Sequence, residues 1–233
     1  MQKLLHSLKI DIYADGADIN EIFNLNKLKY IKGFTTNPTL MRQFGVTNYK
    51  DFCLRLIKEV SNKPLSFEVF ADDLSEMLYQ AYQISSWGDN VYVKIPITNT
   101  LGKSTSSIIK ELSNKNLNLN ITAVFTLDQC NEIIESVNLD SNTIISIFAG
   151  RIADTGVDPL IIVKQSKKLF KNFKNIKILW ASPRELLNLI HANSAGADII
   201  TLPYPMIKKL PNLGKDLDKF SLETVKMFYN DAT

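Results

Sequence analysis

A lysine set inside an apolar, β-branched run is the residue here whose placement most suggests chemistry: Val91-Tyr92-Val93-Lys94-Ile95-Pro96. Such a run reads as a buried strand, and lysine is almost never fully buried without a partner or a task. Removing an amine from water disfavours its charged form and enlarges the neutral, nucleophilic fraction. A neutral amine is what attacks a ketone carbonyl to form a Schiff base. The structural alternative is a strand-end lysine that snorkels to water or pairs with a carboxylate.

Other polar residues stand at comparable places. Asp15 closes a strand-like run in Ala14-Asp15-Gly16-Ala17-Asp18. The following Asp18-Ile19-Asn20-Glu21 already offers a helix cap, which leaves Asp15 open to general acid/base work as well as to loop chemistry. Glu68 lies within Ser66-Phe67-Glu68-Val69-Phe70; if Ser66 and Glu68 face inward, alternation turns Phe67 and Val69 outward. A buried carboxylate is costly unless paired, and Lys94 is its candidate partner. The same alternation aligns Asn120 with Thr122 and Ser146 with Phe148. Asn37, before Pro38, reads as a helix cap. Arg151 follows a sixth run, and Ser182 and Arg184 follow a seventh at an expected helix start, where arginines would make an anion site. Ser182 reads equally as an ordinary cap. Gly102-Lys103-Ser104-Thr105 has the look of a phosphate-loop tail, but Ile97 stands where that motif requires its first glycine.

Eight strand-like runs must position these groups: 10–14, 33–36, 65–70, 91–96, 118–125, 143–149, 177–181 and 198–202. Helical periodicity fills the intervals 49–60, 74–84, 127–137, 159–170 and 184–195. Strands alternating with helices indicate parallel βαβ units, and eight of them in a single 233-residue domain match a (β/α)8 TIM barrel. An open doubly wound sheet fits less well, because no glycine-rich dinucleotide fingerprint follows the first strand. In a barrel, functional groups sit at the C-terminal strand ends. Thr126-Leu127-Asp128-Gln129 and Ser182-Pro183-Arg184-Glu185 fit capping boxes, and Asp158-Pro159 fits a cap followed by a proline at the first helical position. An extra C-terminal helix, about 215–230, lies beyond the eighth unit, to pack on its own barrel or reach a neighbour.

Composition narrows the class. Basic residues (27) nearly match acidic ones (24), for a net charge of +3. Six lysines between 164 and 177 are the nearest thing to a basic stripe, and they read as a solvated helix face, so no nucleic-acid partner is expected. Cys53 and Cys130 fall in expected helices and read as reduced core thiols. His6 and His191 form no metal-ligand spacing with them, so no metal is expected. No apolar run reaches membrane-span length, and residues 1–10 lack a signal-peptide core. A soluble cytoplasmic protein is the resulting expectation.

Ordered motifs, spread over nearly the whole chain, resemble the transaldolase family, especially its short branch that also contains fructose-6-phosphate aldolase. Gly33-Phe34-Thr35-Thr36-Asn37-Pro38-Thr39-Leu40 resembles the family's first signature, and Val91 through Thr98 its active-lysine signature. Asn120-Ile121-Thr122-Ala123-Val124-Phe125, Ser146-Ile147-Phe148-Ala149-Gly150-Arg151 and Ala181-Ser182-Pro183-Arg184 follow in order, and 196–203 resembles the last strand. The resemblance implies class I chemistry in the pentose phosphate pathway without cofactor or metal, on sugar phosphates, in a homo-oligomer. It implies Lys94 as the Schiff-base residue, Asp15 as acid/base, and Glu68 and Thr122 as holders of the proton-shuttling water. Asn37, Asn120, Ser146 and Phe148 would line the sugar site, and Arg151, Ser182 and Arg184 would grip the phosphate. The aldolase type carries Gln at the position of Glu68 and Tyr at that of Phe148, so both residues here resemble transaldolase. Gly16, Phe34, Ile147 and Thr100-Leu101-Gly102 depart from the usual family pattern.

Overall fold

The computed structural model describes residue 5 and residues 7–233. His6 lies outside the described residues, as does much of the N-terminal stretch considered above. Eight strands, β1 (Asp11–Asp15), β2 (Ile31–Thr35), β3 (Leu65–Glu68), β4 (Val91–Pro96), β5 (Leu119–Val124), β6 (Thr143–Ile147), β7 (Ile176–Trp180) and β8 (Ile199–Pro203), close into one parallel barrel in chain order. β8 pairs back onto β1 from Asp11↔Ile199 to Asp15↔Pro203. Each strand overlaps the run expected for it. The strands are rich in Ile, Val and Leu because both of their faces are covered.

The connecting helices are α1 (Ile19–Asn26), α2 (Pro38–Gln43), α3 (Tyr49–Glu59), α4 (Leu74–Ser85), α5 (Ser106–Asn114), α6 (Leu127–Ser136), α7 (Ala149–Ala153), α8 (Pro159–Leu169), α9 (Leu187–Ala195) and α10 (Tyr204–Ile207). Each long helix buries one stripe against the strands: Phe52, Cys53 and Leu56 on α3, Met77, Ala81 and Ile84 on α4, Ile108, Ile109 and Leu112 on α5. The spacing of three and four residues is what a one-faced helix requires, and each fully buried Leu or Ile contributes roughly 1.5–3 kcal/mol. Cys53 and Cys130 are buried, unpaired thiols on α3 and α6, and burial pushes both up.

Most helix starts are capped as the sequence indicates. Thr126 and Gln129 form a reciprocal box on α6, Asn37 Oδ1 accepts from Leu40 N at 3.0 Å, and Asp158 accepts from Leu160 N at 2.9 Å. The expected box at Ser182–Glu185 does not form. Ser182 sits in the left-handed region with φ 59°, which is not the extended backbone of a cap, and α9 starts only at Leu187. The Asn188 side chain reaches back instead and accepts from Arg184 N at 2.7 Å and Glu185 N at 3.3 Å.

Lys164, Lys168, Lys171, Lys174 and Lys177 are exposed, and Lys167 pairs with Asp198 at 2.5 Å, so the basic run is a solvated face. Past β8, the helix α11 (Leu217–Ala232) has no buried residue and exposes Leu217, Phe220, Leu222, Val225, Met227, Phe228 and Tyr229. Among the described residues no helix is long and apolar enough to cross a membrane.

Inside the barrel the layers differ in chemistry. Tyr13, Tyr92, Ile144, Leu179 and Ile199 pack together in an apolar layer. Tyr13 fits because residue 33 is glycine; a Cβ there would lie 2.6 Å from the tyrosine ring. Two residues further along the strands, on the same inward face, stand Asp15, Thr35, Lys94, Ser146, Ala181 and Thr201.

Candidate active site

A fully buried polar bridge underlies the barrel mouth. Asn120 on β5 donates from Nδ2 to Ser66 Oγ on β3 at 3.0 Å and accepts from Ser146 Oγ on β6 at 2.7 Å. With both ends of its amide used, Asn120 ties three strands together at little desolvation cost.

Lys94 stands beside that bridge, with only 6% of its surface exposed. Its Nζ lies 3.1 Å from Glu68 Oε2 and donates to the Thr36 carbonyl at 3.0 Å. The contact with Glu68 follows from strand register, since Glu68 and Lys94 are paired Cα partners on β3 and β4. Phe67 faces the other way, toward Trp87, as alternation requires.

Asp15 closes β1 on the same interior face. Thr35 donates to its Oδ1 at 2.7 Å, and Asn37 Nδ2 lies 3.4 Å from its Oδ2. Thr35 Oγ1 is also 2.6 Å from Thr201 Oγ1. A hydroxyl has one proton to give, so Thr201 donates to Thr35 and Thr35 to Asp15. Burial raises the Asp15 carboxyl above its ordinary range, with Glu68 adding to the rise and Lys94 and the Thr35 hydrogen bond opposing it.

These groups line one cavity of about 440 Å³, which Asn37, Thr122, Ala123, Phe125, Ser146, Phe148, Arg151, Ser182 and Thr201 complete. The Thr122 hydroxyl is buried on the wall with no hydrogen-bond partner in the protein. A buried hydroxyl left unpaired costs about 1–3 kcal/mol, so its hydrogen-bonding capacity is available to a bound molecule. Two non-glycine residues on this wall, Ala123 (φ 57°) and Ser182 (φ 59°), adopt left-handed backbone. Ala123 marks the break in β5–β6 register between Ile121 and Val124. Strained backbone of this kind gathers where side chains must be aimed.

Arg151 is exposed on α7, with its guanidinium 5.6 Å from the centre of the Phe148 ring. Arg184, one of the expected anion-binding residues, is turned to Asp154: Nε donates to Oδ1 at 2.9 Å and Nη2 to Oδ2. It is not among the cavity-lining residues. Thus the structure brings Asp15, Asn37, Glu68, Lys94, Thr122, Ser146, Phe148, Arg151 and Ser182 to one cavity. Asn120 lies beneath as scaffold, and Arg184 stands outside at the rim.

Four participants are not singled out as site residues by the sequence reading. Thr201 could have been found by alternation along β8 from buried Ile199. Ala123 and Gly150 matter through backbone geometry, which residue type alone does not reveal. Gly150 is forced by close approach: a Cβ there would lie 1.5 Å from the Ser182 carbonyl oxygen and 3.4 Å from Arg184 Nε. Asp154 follows a five-residue helix, and nothing in its local sequence points toward Arg184. Among the described residues no cluster of three or more His, Cys, Asp or Glu is placed to hold a metal ion.

A closed parallel (β/α)8 barrel with a lysine, two carboxylates and an arginine about one C-terminal cavity defines a barrel enzyme of the aldolase and transaldolase kind. Residues 12–233 match the family model described as Transaldolase/Fructose-6-phosphate aldolase, and the chain belongs to that family. It is 35% identical over 201 residues to a protein of Sulfurihydrogenibium sp. named "Probable transaldolase", covering 85% of this chain and 87% of that one. It is 34% identical over 215 residues to one of the same name from Thermoplasma volcanium, covering 90% and 92%. The fold is also that of a type I 3-dehydroquinate dehydratase from Clostridium difficile, with a TM-score of 0.53, 10% identity, and coverage of 83% and 84%.

Proposed function

We propose that this protein is a transaldolase that moves a dihydroxyacetone unit from a ketose phosphate, sedoheptulose 7-phosphate or fructose 6-phosphate, to an aldose phosphate through a Schiff base on Lys94. The observation that carries the reading is a buried lysine paired with Glu68 at 3.1 Å in a cavity that also holds a desolvated Asp15.

The Lys94 amine attacks the ketose carbonyl, and loss of water gives a protonated imine. Glu68 and the unpaired Thr122 hydroxyl hold the water that ferries protons in that step. Asp15 takes the proton of the hydroxyl on the carbon at the far end of the breaking bond. The carbon–carbon bond then breaks, the aldose leaves as an aldehyde, and the electron pair enters the imine to give an enamine. The enamine adds to the acceptor aldehyde, Asp15 returns the proton to the new hydroxyl, and water releases Lys94. Desolvation serves this cycle twice, by strengthening the interactions around the imine and by raising Asp15 toward a range where it both takes and returns a proton. Asn37 and Ser146 hydrogen-bond the sugar, and Arg151 and Ser182 hold the phosphate at the rim.

Oligomerisation is part of the proposal, supported by the apolar exposed face of α11. The unpaired core thiols fit a reducing, cytoplasmic setting.

The test is a coupled assay with fructose 6-phosphate, run with and without erythrose 4-phosphate. Transfer only with acceptor supports the proposal. Release of free dihydroxyacetone at the same rate without acceptor would make the protein a fructose-6-phosphate aldolase. Binding of several sugar phosphates without turnover would make it a non-catalytic barrel.

A further inference from the structure

The ion pair between Arg184 and Asp154 bears on substrate selection. The Arg184 guanidinium has five N–H donors. The Nε and Nη2 edge faces the two oxygens of Asp154 side-on. That geometry commits two donors and leaves the Nη1 edge and one Nη2 proton. The arginine passes close over Gly150, the residue before Arg151, where an added Cβ would lie 3.4 Å from its Nε. Asp154 in turn answers to both arginines. Its carboxyl is held below the ordinary carboxylate range, first by the Arg184 hydrogen bonds, with the charges of Arg184 and Arg151 adding to the effect. Two arginines and one carboxylate therefore make a cluster of net charge +1 at the rim beside Ser182.

We infer that Asp154 is a positioning and specificity-determining residue: it holds Arg184 by one edge so that the other edge completes the phosphate site begun by Arg151 and Ser182. This rests on the reading that the substrate phosphate lies at that rim. A long, half-exposed arginine loses rotamer freedom when it grips a ligand. Bidentate pairing with Asp154 removes most of that freedom beforehand, as planar guanidinium–carboxylate pairs do.

The experiment is a double-mutant cycle on the intact chain with Asp154→Ala and Arg184→Ala, accompanied by Asp154→Asn and Arg151→Ala. Each variant is assayed for kcat and KM with fructose 6-phosphate and with unphosphorylated fructose, and for competitive inhibition by inorganic phosphate. Fold is monitored by thermal melting, and the half-exposed position of Asp154 makes Asp154→Asn a mild change. Asp154→Ala should raise KM for fructose 6-phosphate and Ki for phosphate about tenfold, the scale of a weakened charged hydrogen bond, with a much smaller change in kcat. Asp154→Asn, which keeps one acceptor oxygen, should lie between. In the Arg184→Ala background, Asp154→Ala should have no further effect. Additive penalties, or equal penalties for fructose and fructose 6-phosphate, overturn the inference. So does a fall in KM for fructose 6-phosphate in Asp154→Ala, because Asp154 would then compete with phosphate for Arg184. A phosphate-selective penalty in Arg151→Ala alongside any of these results leaves the rim reading standing without Asp154; its absence removes both.

Discussion

Glu68 and Lys94 face each other across paired positions of β3 and β4, with Oε2 3.1 Å from Nζ. Parallel strand register makes this contact, and no loop has to close to form it. A buried ion pair is weak evidence of stability, because desolvating two charges offsets most of their attraction. Its value here is placement. Glu68 stands beside the amine proposed to attack the ketose carbonyl, while the Thr36 carbonyl holds the same amine at 3.0 Å.

Lys94 should be the covalent residue. Borohydride added with fructose 6-phosphate is expected to leave a stable adduct on the peptide containing Lys94. Lys94→Arg should lose both adduct and activity, since a guanidinium stays protonated. Mass spectrometry that finds the adduct on another lysine would refute this assignment.

Glu68→Gln should slow transfer while raising dihydroxyacetone release relative to transfer. An ionised carboxylate only accepts hydrogen bonds, whereas an amide also donates and cannot balance an ammonium. Adding Phe148→Tyr, which places a hydroxyl on the same cavity wall, should push the ratio further. Both products are quantified for the single and double variants. A uniform fall in rate at constant ratio would make Glu68 a purely structural partner.

Asp15 couples stability to pH. Its carboxyl is raised in the folded state, chiefly by desolvation. The stabilising effect of a raised carboxyl is fully present below the unfolded value and is lost as pH rises through the folded value, because the native state then ionises a desolvated group. Asp15→Asn should therefore melt higher than the parent at pH 7–8, with the difference shrinking toward about pH 4, while activity collapses. A lower melting temperature at neutral pH would mean that attraction to Lys94 outweighs desolvation.

Gly150→Ala should destabilise the fold by about 1–3 kcal/mol, the range for overpacking a filled site. The new methyl would meet the Ser182 carbonyl, which is backbone and cannot swing aside. Chemical denaturation measures the loss, and a value within about 0.5 kcal/mol of zero, the range of inert surface changes, would show that β7 and α7 separate freely.

Deleting residues 217–233 should leave the barrel folded, since α11 has no buried residue, and should lower the molecular mass of the assembly in solution. Circular dichroism and light scattering report the two effects. An unchanged assembly would show that α11 does not join the subunits.

The primary sequence by itself determined the barrel and most of its cavity wall. Period-two alternation along each strand already put Ser66 with Glu68, Asn120 with Thr122 and Ser146 with Phe148 on common faces, because side-chain direction in a strand depends only on parity. Caps such as Asn37 and Thr126 were legible for a related reason: they bond to backbone three residues away. What only the tertiary structure decided involves contacts whose partners are distant in the chain or whose cause is backbone geometry. Thr201 reaches Thr35 across 166 positions, and Arg184 reaches Asp154 across 30. Ser182 matches a capping motif by residue type yet lies in left-handed backbone. The close approach of its carbonyl to Gly150 comes from how β7 and α7 meet. Local pattern fixes which face a residue presents; packing fixes what stands opposite.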